Sequence, residues 1–184
     1  MKVAAVVSMS VILIGTAAAQ QSNAAQGGNL VTSFTLSSPS FGSGASIPEA
    51  FTCSGQDVSP VLSWTGEPAH AASFALVADD PDAPAGTWVH WVIWNISHHS
   101  QLLPKNVTKS GTLPDGTMQG KNDFGKVGYS GPCPPPGKTH RYYFRLYALD
   151  TKLMLQPGAT RKQLDAAMKG HVLAKAEHMG TYKR

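Results

Sequence analysis

Short apolar runs separated by glycine and proline set the rhythm of this chain. Phe34 and Leu36, Phe74 to Val77, Val89 to Ile96, and Tyr142 to Leu149 are each bounded by turn-forming residues, the pattern of a mainly β fold with long loops. Trp88 to Ile96 is apolar on both alternating sets, as expected of a strand covered on two faces. His90 falls in phase with Val92, Trp94 and Ile96, so it is expected to point into packed interior. The later run alternates: His140, Tyr142, Phe144 and Leu146 face one way, and Arg141, Tyr143, Arg145 and Tyr147 the other. Near the end of the chain, Ala159 to His178 has few breakers and repeats Leu164, Met168 and Val172 every fourth residue. That spacing predicts a helix capped by Thr160 and stopped by Gly180, followed by an extended or irregular end.

Ahead of the first strand the pattern changes. Lys2 is followed by a nearly unbroken apolar stretch, Val3 to Gly15, and then by Ala17-Ala18-Ala19, the small residues that signal peptidase requires. Residues 1–19 therefore read as a signal peptide cut after Ala19, residues 20–29 as a flexible tail too polar to order itself, and residues 30–184 as one domain. The other reading of the apolar stretch, a membrane anchor, falls short of the roughly 20 residues that span a bilayer. The expected location is periplasmic or secreted, with no transmembrane segment in the mature chain.

In an oxidising compartment the two cysteines, Cys53 and Cys133, are natural disulfide partners. Two separate buried thiols are the alternative. The formal net charge is +4, but the basic residues are scattered, with no basic run and no aromatic interleaving, so nothing points to nucleic acid.

Candidate chemistry concentrates at strand ends. Asp79-Asp80-Pro81-Asp82-Ala83-Pro84 directly follows an apolar run, and its prolines hold three carboxylates in a stiff bend. An ordinary Asp/Pro turn carries the same signature. His90 comes one short loop later; if the flanking runs form an antiparallel hairpin, Asp80 and His90 lie at one sheet edge. Gly128 to Lys138 is a Gly/Pro-rich loop that delivers His140 and Tyr142 to the apolar face at the start of the next strand. Two inward histidines at strand starts and an aspartate at a strand end point to one polar cluster at the rim of an apolar core.

These two regions, Asp80-Pro81-Asp82-Ala83-Pro84 with Trp88-Val89-His90, and Gly131-Pro132-Cys133-Pro134-Pro135-Pro136-Gly137-Lys138-Thr139-His140-Arg141-Tyr142, resemble the two signatures of the phosphatidylethanolamine-binding proteins. The surroundings of Cys53 and Cys133 resemble the bacterial Raf-kinase-inhibitor-like branch of that family. The resemblance extends from about Leu30 to Tyr182. It implies a two-sheet antiparallel β-sandwich with peripheral helices, one of them near the C-terminus, and a small pocket at one end for phosphate or a phosphorylated headgroup. It further implies that Asp80, Trp88, His90, His140 and Tyr142 form the pocket, with backbone contacts from Gly131 and Pro132. The ligand would be a small phosphorylated or anionic molecule, phospholipid headgroups included, and no cofactor or metal is implied.

A carboxylate beside a bound anion makes sense only if it orients the histidines or shares a proton, so binding should strengthen as the imidazoles protonate. Asp82 and Arg141 are expected to form an ion pair supporting the loop. Two features depart from the animal proteins: the short Ala85-Gly86-Thr87 connection, which should leave the pocket mouth open, and Cys133 among the prolines of the opposite rim. The function expected is that of an exported binding or modulator protein without catalysis. Two alternatives stand beside it. One is a surface-mediated inhibitor or modulator of another protein, such as a protease or kinase. The other is a metal-assisted hydrolase using Asp80, His90 and His140, although no HExxH pair or nucleophile elbow is present.

Overall fold

A computed structural model of the protein describes residues 33–184, together with Met1, Lys2 and Ala4. Apart from these three residues, the expected signal peptide, the tail and the domain start at Leu30 lie outside the described residues. In chain order the strands are β1 (Thr35–Ser37), β2 (Leu62–Thr65), β3 (Ser73–Asp80), β4 (Trp88–Ser97), β5 (Leu102–Leu103), β6 (Met118–Gln119), β7 (His140–Leu149) and β8 (Val172–Tyr182). One α-helix, α1 (Arg161–Met168), precedes β8, and a 3-10 turn spans Glu49–Phe51.

Every residue of β3 is buried because it is the central strand of an antiparallel sheet ordered β6-β4-β3-β7-β8. A second antiparallel sheet, β1-β2-β5, contributes Leu36, Leu62, Trp64 and Leu103 to the same apolar cluster as Phe74, Leu76, Trp91, Ile93, Phe144 and Leu146 of the large sheet. On the other face of the large sheet, Ala75, Val77, Val92 and Trp94 pack with Leu164 and Met168 of α1. This double coverage explains why β3 and β4 are apolar on both alternating sets while β7, with one face half exposed, alternates.

The helix expected over residues 159–178 is cut to Arg161–Met168. Its start is as predicted: Thr160 caps it, with a reciprocal contact to Gln163. Gly170, at φ 84°, then turns the chain, and Val172–Tyr182 becomes the longest strand of the large sheet. The Ala, Lys and Glu content of residues 174–177 favours a helix locally, but pairing with β7 from His140↔Tyr182 to Leu149↔Val172 overrides that preference. Val172 does not continue the Leu164–Met168 stripe; it is exposed. Gly180 stops no helix. It sits within β8 where a Cβ would run into Ile47 and Phe41, so only glycine lets the 41–47 segment pack there.

Candidate functional site

The sheet brings one end of β3 and the starts of β4 and β7 together. Asp80 ends β3, Trp88 and His90 open β4, and His140 and Tyr142 open β7. Asp80, Trp88, His90 and His140 line a cavity of about 330 Å³, whose remaining wall is Ala83, Pro84, Ala85, Phe124, Cys133, Pro134 and Pro135. Its floor is polar and its rim apolar.

His90 reaches this cavity through a bulge. The pairing Asp79↔Val89 is followed by Ala78↔Trp91, so His90 has no partner on β3. The bulge is held from outside: Val89 N–H donates to Asp123 Oδ2 at 2.7 Å, and Asp123 N–H donates to the Val89 carbonyl at 3.0 Å. This corrects the phase read from simple alternation. Val92 and Trp94 pack on the α1 side, whereas His90 lies edge-on to Tyr142, ring centroids 5.3 Å apart, in the other layer.

Hydrogen bonds define the protonation chemistry. His90 Nδ1 lies 2.7 Å from the Ser130 carbonyl, which can only accept, so Nδ1 carries the hydrogen. His140 Nδ1 lies 2.7 Å from Asp80 Oδ2 and donates to it, while Asp80 Oδ1 accepts the Asp82 N–H at 2.8 Å. No hydrogen bond within the described residues engages the Nε2 atom of either ring. A neutral imidazole hydrogen-bonded through Nδ1–H offers only a lone pair at Nε2, so each ring becomes a donor there only as imidazolium. Burial holds His90 below its ordinary value of 6.5, and the Ser130 carbonyl offsets that only in part. Tyr142 is not among the residues lining the cavity; it lies edge-on to His90 and stacked on His140, and its buried hydroxyl has no hydrogen-bond partner among the described residues. Burial first and the Asp80 carboxylate second push that phenol far up, so it remains a protonated donor.

The other residues singled out by sequence divide by role. Asp79, one position from Asp80, turns to the opposite face and pairs with Arg145 and with Arg161 of α1. Asp82 and Arg141 form a bidentate pair, Nε–Oδ2 2.9 Å and Nη2–Oδ1 2.6 Å, and that guanidinium lowers the Asp82 carboxyl to about 2. Gly131 and Pro132 do not line the cavity. Gly131 N–H donates to Asp57 Oδ1 at 2.6 Å and the Pro132 carbonyl accepts Cys53 N–H at 3.1 Å, so the backbone contacts expected of them are used inside the chain. Cys53 and Cys133 form a disulfide, which pins the Pro-rich rim to the 50–57 segment.

Phe124 is the wall residue that sequence reasoning missed. It meets both Trp88 and His90 edge-on, with centroids 5.5 and 5.3 Å apart. The turn that carries it is built by Asn122, whose side-chain oxygen accepts the Phe124 and Lys126 N–H groups and whose amide donates to the Gly128 carbonyl. The signal was present in Asn122-Asp123-Phe124-Gly125, a turn sequence with an exposed aromatic at its tip.

Two antiparallel sheets, and an Asp–His pair and a second imidazole gathered at a sheet end under an apolar rim, define a β-rich domain with a small polar-floored pocket. The family model described as phosphatidylethanolamine-binding protein matches residues 37–183, and the chain belongs to that family. A UPF0098 protein of Methanothermobacter thermautotrophicus is 53% identical over 149 residues, covering 81% of this chain and 98% of that protein. A UPF0098 protein of Aquifex aeolicus is 43% identical over 171 residues, covering 85% of this chain and 98% of its own length. Among solved structures, a putative phosphatidylethanolamine-binding protein homologue of Chlamydia trachomatis superposes with a TM-score of 0.76 at 39% identity, covering 83% of this chain and 98% of that one. YbcL of E. coli, described as a new member of the mammalian family, gives a TM-score of 0.77 at 34% identity, covering 82% and 98%.

Proposed function

We propose that this protein binds a small phosphorylated or otherwise oxyanionic ligand in the pocket lined by Asp80, His90 and His140, with Tyr142 against both histidines, and acts as an exported binding or modulator protein, without catalysing a reaction. The two sheets, sharing one apolar core, form the β-sandwich that carries the pocket at its end. The observation that carries this reading is the pair of imidazoles whose Nδ1 atoms are committed to acceptors, Ser130 O and Asp80 Oδ2, at 2.7 Å each. That arrangement leaves both Nε2 atoms to serve an incoming oxyanion as charge-assisted donors once the rings are protonated. Asp80 serves the binding of an anion despite its own charge because its Oδ2 accepts the His140 Nδ1 hydrogen and so orients that ring with Nε2 free. The apolar rim of Pro84, Trp88, Phe124 and Pro134 excludes water around the anion and strengthens each of these bonds.

The test is calorimetric titration of mature, metal-free protein with phosphate and with O-phosphoethanolamine, alongside His90→Ala and His140→Ala. Saturable binding by the wild type that is lost in both variants supports the pocket. Absence of binding with either ligand at pH 5.5 and 7 refutes it, and release of product from a phosphomonoester would replace it with the hydrolase.

A further inference from the structure

We propose that the Cys53–Cys133 bond is a thiol-exchange site, opened by a small anionic thiol that attacks Cys53 and releases Cys133 beside Arg184. The two cysteines are placed differently. Cys53 is exposed, whereas Cys133 is half-buried and belongs to the wall of the 330 Å³ cavity. Both line a second cleft, of about 170 Å³, together with Asp57, Phe124, Lys126, Ser130 and Gly131. Two cations flank the bond. Arg184 Nη1 lies 3.5 Å from Cys133 Sγ and 4.0 Å from Cys53 Sγ, and the Arg184 carbonyl accepts the Gly137 N–H at 3.3 Å, which ties Arg184 to the Pro-rich rim. Lys126 lines the cleft and forms no ion pair among the described residues. The one carboxylate of the cleft, Asp57, is already committed to Lys109 Nζ at 2.7 Å and to the Gly131 N–H at 2.6 Å. The cleft therefore favours an incoming group of negative charge.

The external thiolate, RS⁻, forms a bond to Cys53 Sγ while the electron pair of the Cys53–Cys133 bond leaves on Cys133 Sγ. Cys133 departs as a thiolate next to the Arg184 guanidinium, and a neighbouring cation makes a sulfur the better leaving group. The products are a mixed disulfide, Cys53 S–S–R, and a Cys133 thiolate on the cavity wall. A second RS⁻ attacking the sulfur of R releases Cys53 and forms R–S–S–R. Two electrons thus pass from the external thiols to the protein, whose two sulfurs take up the protons those thiols gave up. Opening the bond leaves its surroundings tied together. Cys53 N–H still donates to the Pro132 carbonyl at 3.1 Å, Gly131 N–H to Asp57 Oδ1, and the Tyr129 hydroxyl to the Phe51 carbonyl at 2.7 Å. The exchange depends on the two sulfurs and their two cations, and not on what the cavity binds.

Three thiols of similar size and different charge, 3-mercaptopropionate, 2-mercaptoethanol and cysteamine, test this when added in excess to the full chain at neutral pH. Each reaction is stopped with excess N-ethylmaleimide, and the peptides are mapped by mass spectrometry. After correction for thiol acidity, 3-mercaptopropionate should open the bond about tenfold faster than cysteamine, a lead that shrinks as salt screens it. Early in the reaction 3-mercaptopropionate should be found on Cys53 and maleimide on Cys133. Lys126→Gln should cut the lead of the anionic thiol about threefold and leave the rate with 2-mercaptoethanol unchanged. Arg184→Gln should slow all three thiols about tenfold, and Arg184→Lys should restore most of the rate, with thermal melts confirming that each variant is folded. Adducts chiefly on Cys133, corrected rates that ignore thiol charge, or rates unchanged in the two glutamine variants overturn the proposal. So does a bond that resists all three thiols until the chain melts, because the sulfurs are then closed to any incoming group in the native fold.

Discussion

Sulfate offers a direct probe of the pocket because, unlike phosphate, it keeps the same charge through neutral pH. His90 must gain a proton to donate from Nε2, and burial keeps the ring of the free protein below 6.5. A bound dianion raises the proton affinity of that ring, so sulfate binding takes up a proton between the lowered value in the free protein and the higher value in the complex. Each proton taken up changes affinity about tenfold per pH unit, or about 1.4 kcal/mol. The sign is unambiguous: affinity falls as pH rises. Calorimetry between pH 5.5 and 8 in buffers of different ionisation enthalpy reads the proton uptake from the slope of observed heat against buffer heat. His90→Gln, whose amide donates without titrating, should remove one proton from that slope while retaining measurable binding. Affinity that is independent of pH, or that rises with pH, would refute the imidazolium mechanism even if sulfate binds.

The same burial acts on the ligand-free fold. His90 and His178 are both held below 6.5 by desolvation, so the stability they contribute is complete above that value and declines as pH falls toward the lowered one; the melting temperature should drop on acidification, and sulfate should reverse the drop. Reducing the Cys53–Cys133 bond, which closes 80 residues of sequence, should cost about 4 kcal/mol and lower the melting temperature by roughly 8–16 °C, measured with and without a thiol reductant. The two carboxylates flanking Asp80 should behave oppositely on replacement by alanine. Asp79 is buried and neutralises Arg145 and Arg161, so its loss should cost about 3 kcal/mol or more in denaturant unfolding. Asp82 is paired at the solvent-exposed surface with Arg141, so its loss should barely move the transition.

Much of this architecture was legible in the one-dimensional pattern. Alternation at His140–Tyr147 and double-sided apolarity at Trp88–Ile96 identified the strands and their coverage, because side-chain direction in a strand depends only on parity. Asp80, His90 and His140 were legible for the same reason, as polar residues interrupting apolar faces at strand ends. What alternation missed is the bulge at Val89–His90, because the agent that creates it, Asp123, lies far along the chain. Phe124 escaped for a related reason: an aromatic at a turn tip looks like ordinary surface until the turn is folded against Trp88 and His90.

The C-terminal region shows the limit most clearly. Thr160 and Gln163 are neighbours, so the start of α1 was readable from local capping chemistry. Residues 172–182 have a local preference for helix, and nothing nearby in the chain opposes it strongly. Their strand state comes from β7, whose unsatisfied backbone edge and apolar Phe144, Leu146 and Ala148 are completed by Ala174, Ala176 and His178. By itself, then, the sequence determined which residues alternate, where turns fall and which polar groups sit at strand ends, since those properties depend on neighbours in the chain. Only the tertiary structure decided the bulge, the wall of the pocket and the fate of the last strand, because each is set by hydrogen bonds and packing between segments tens of residues apart.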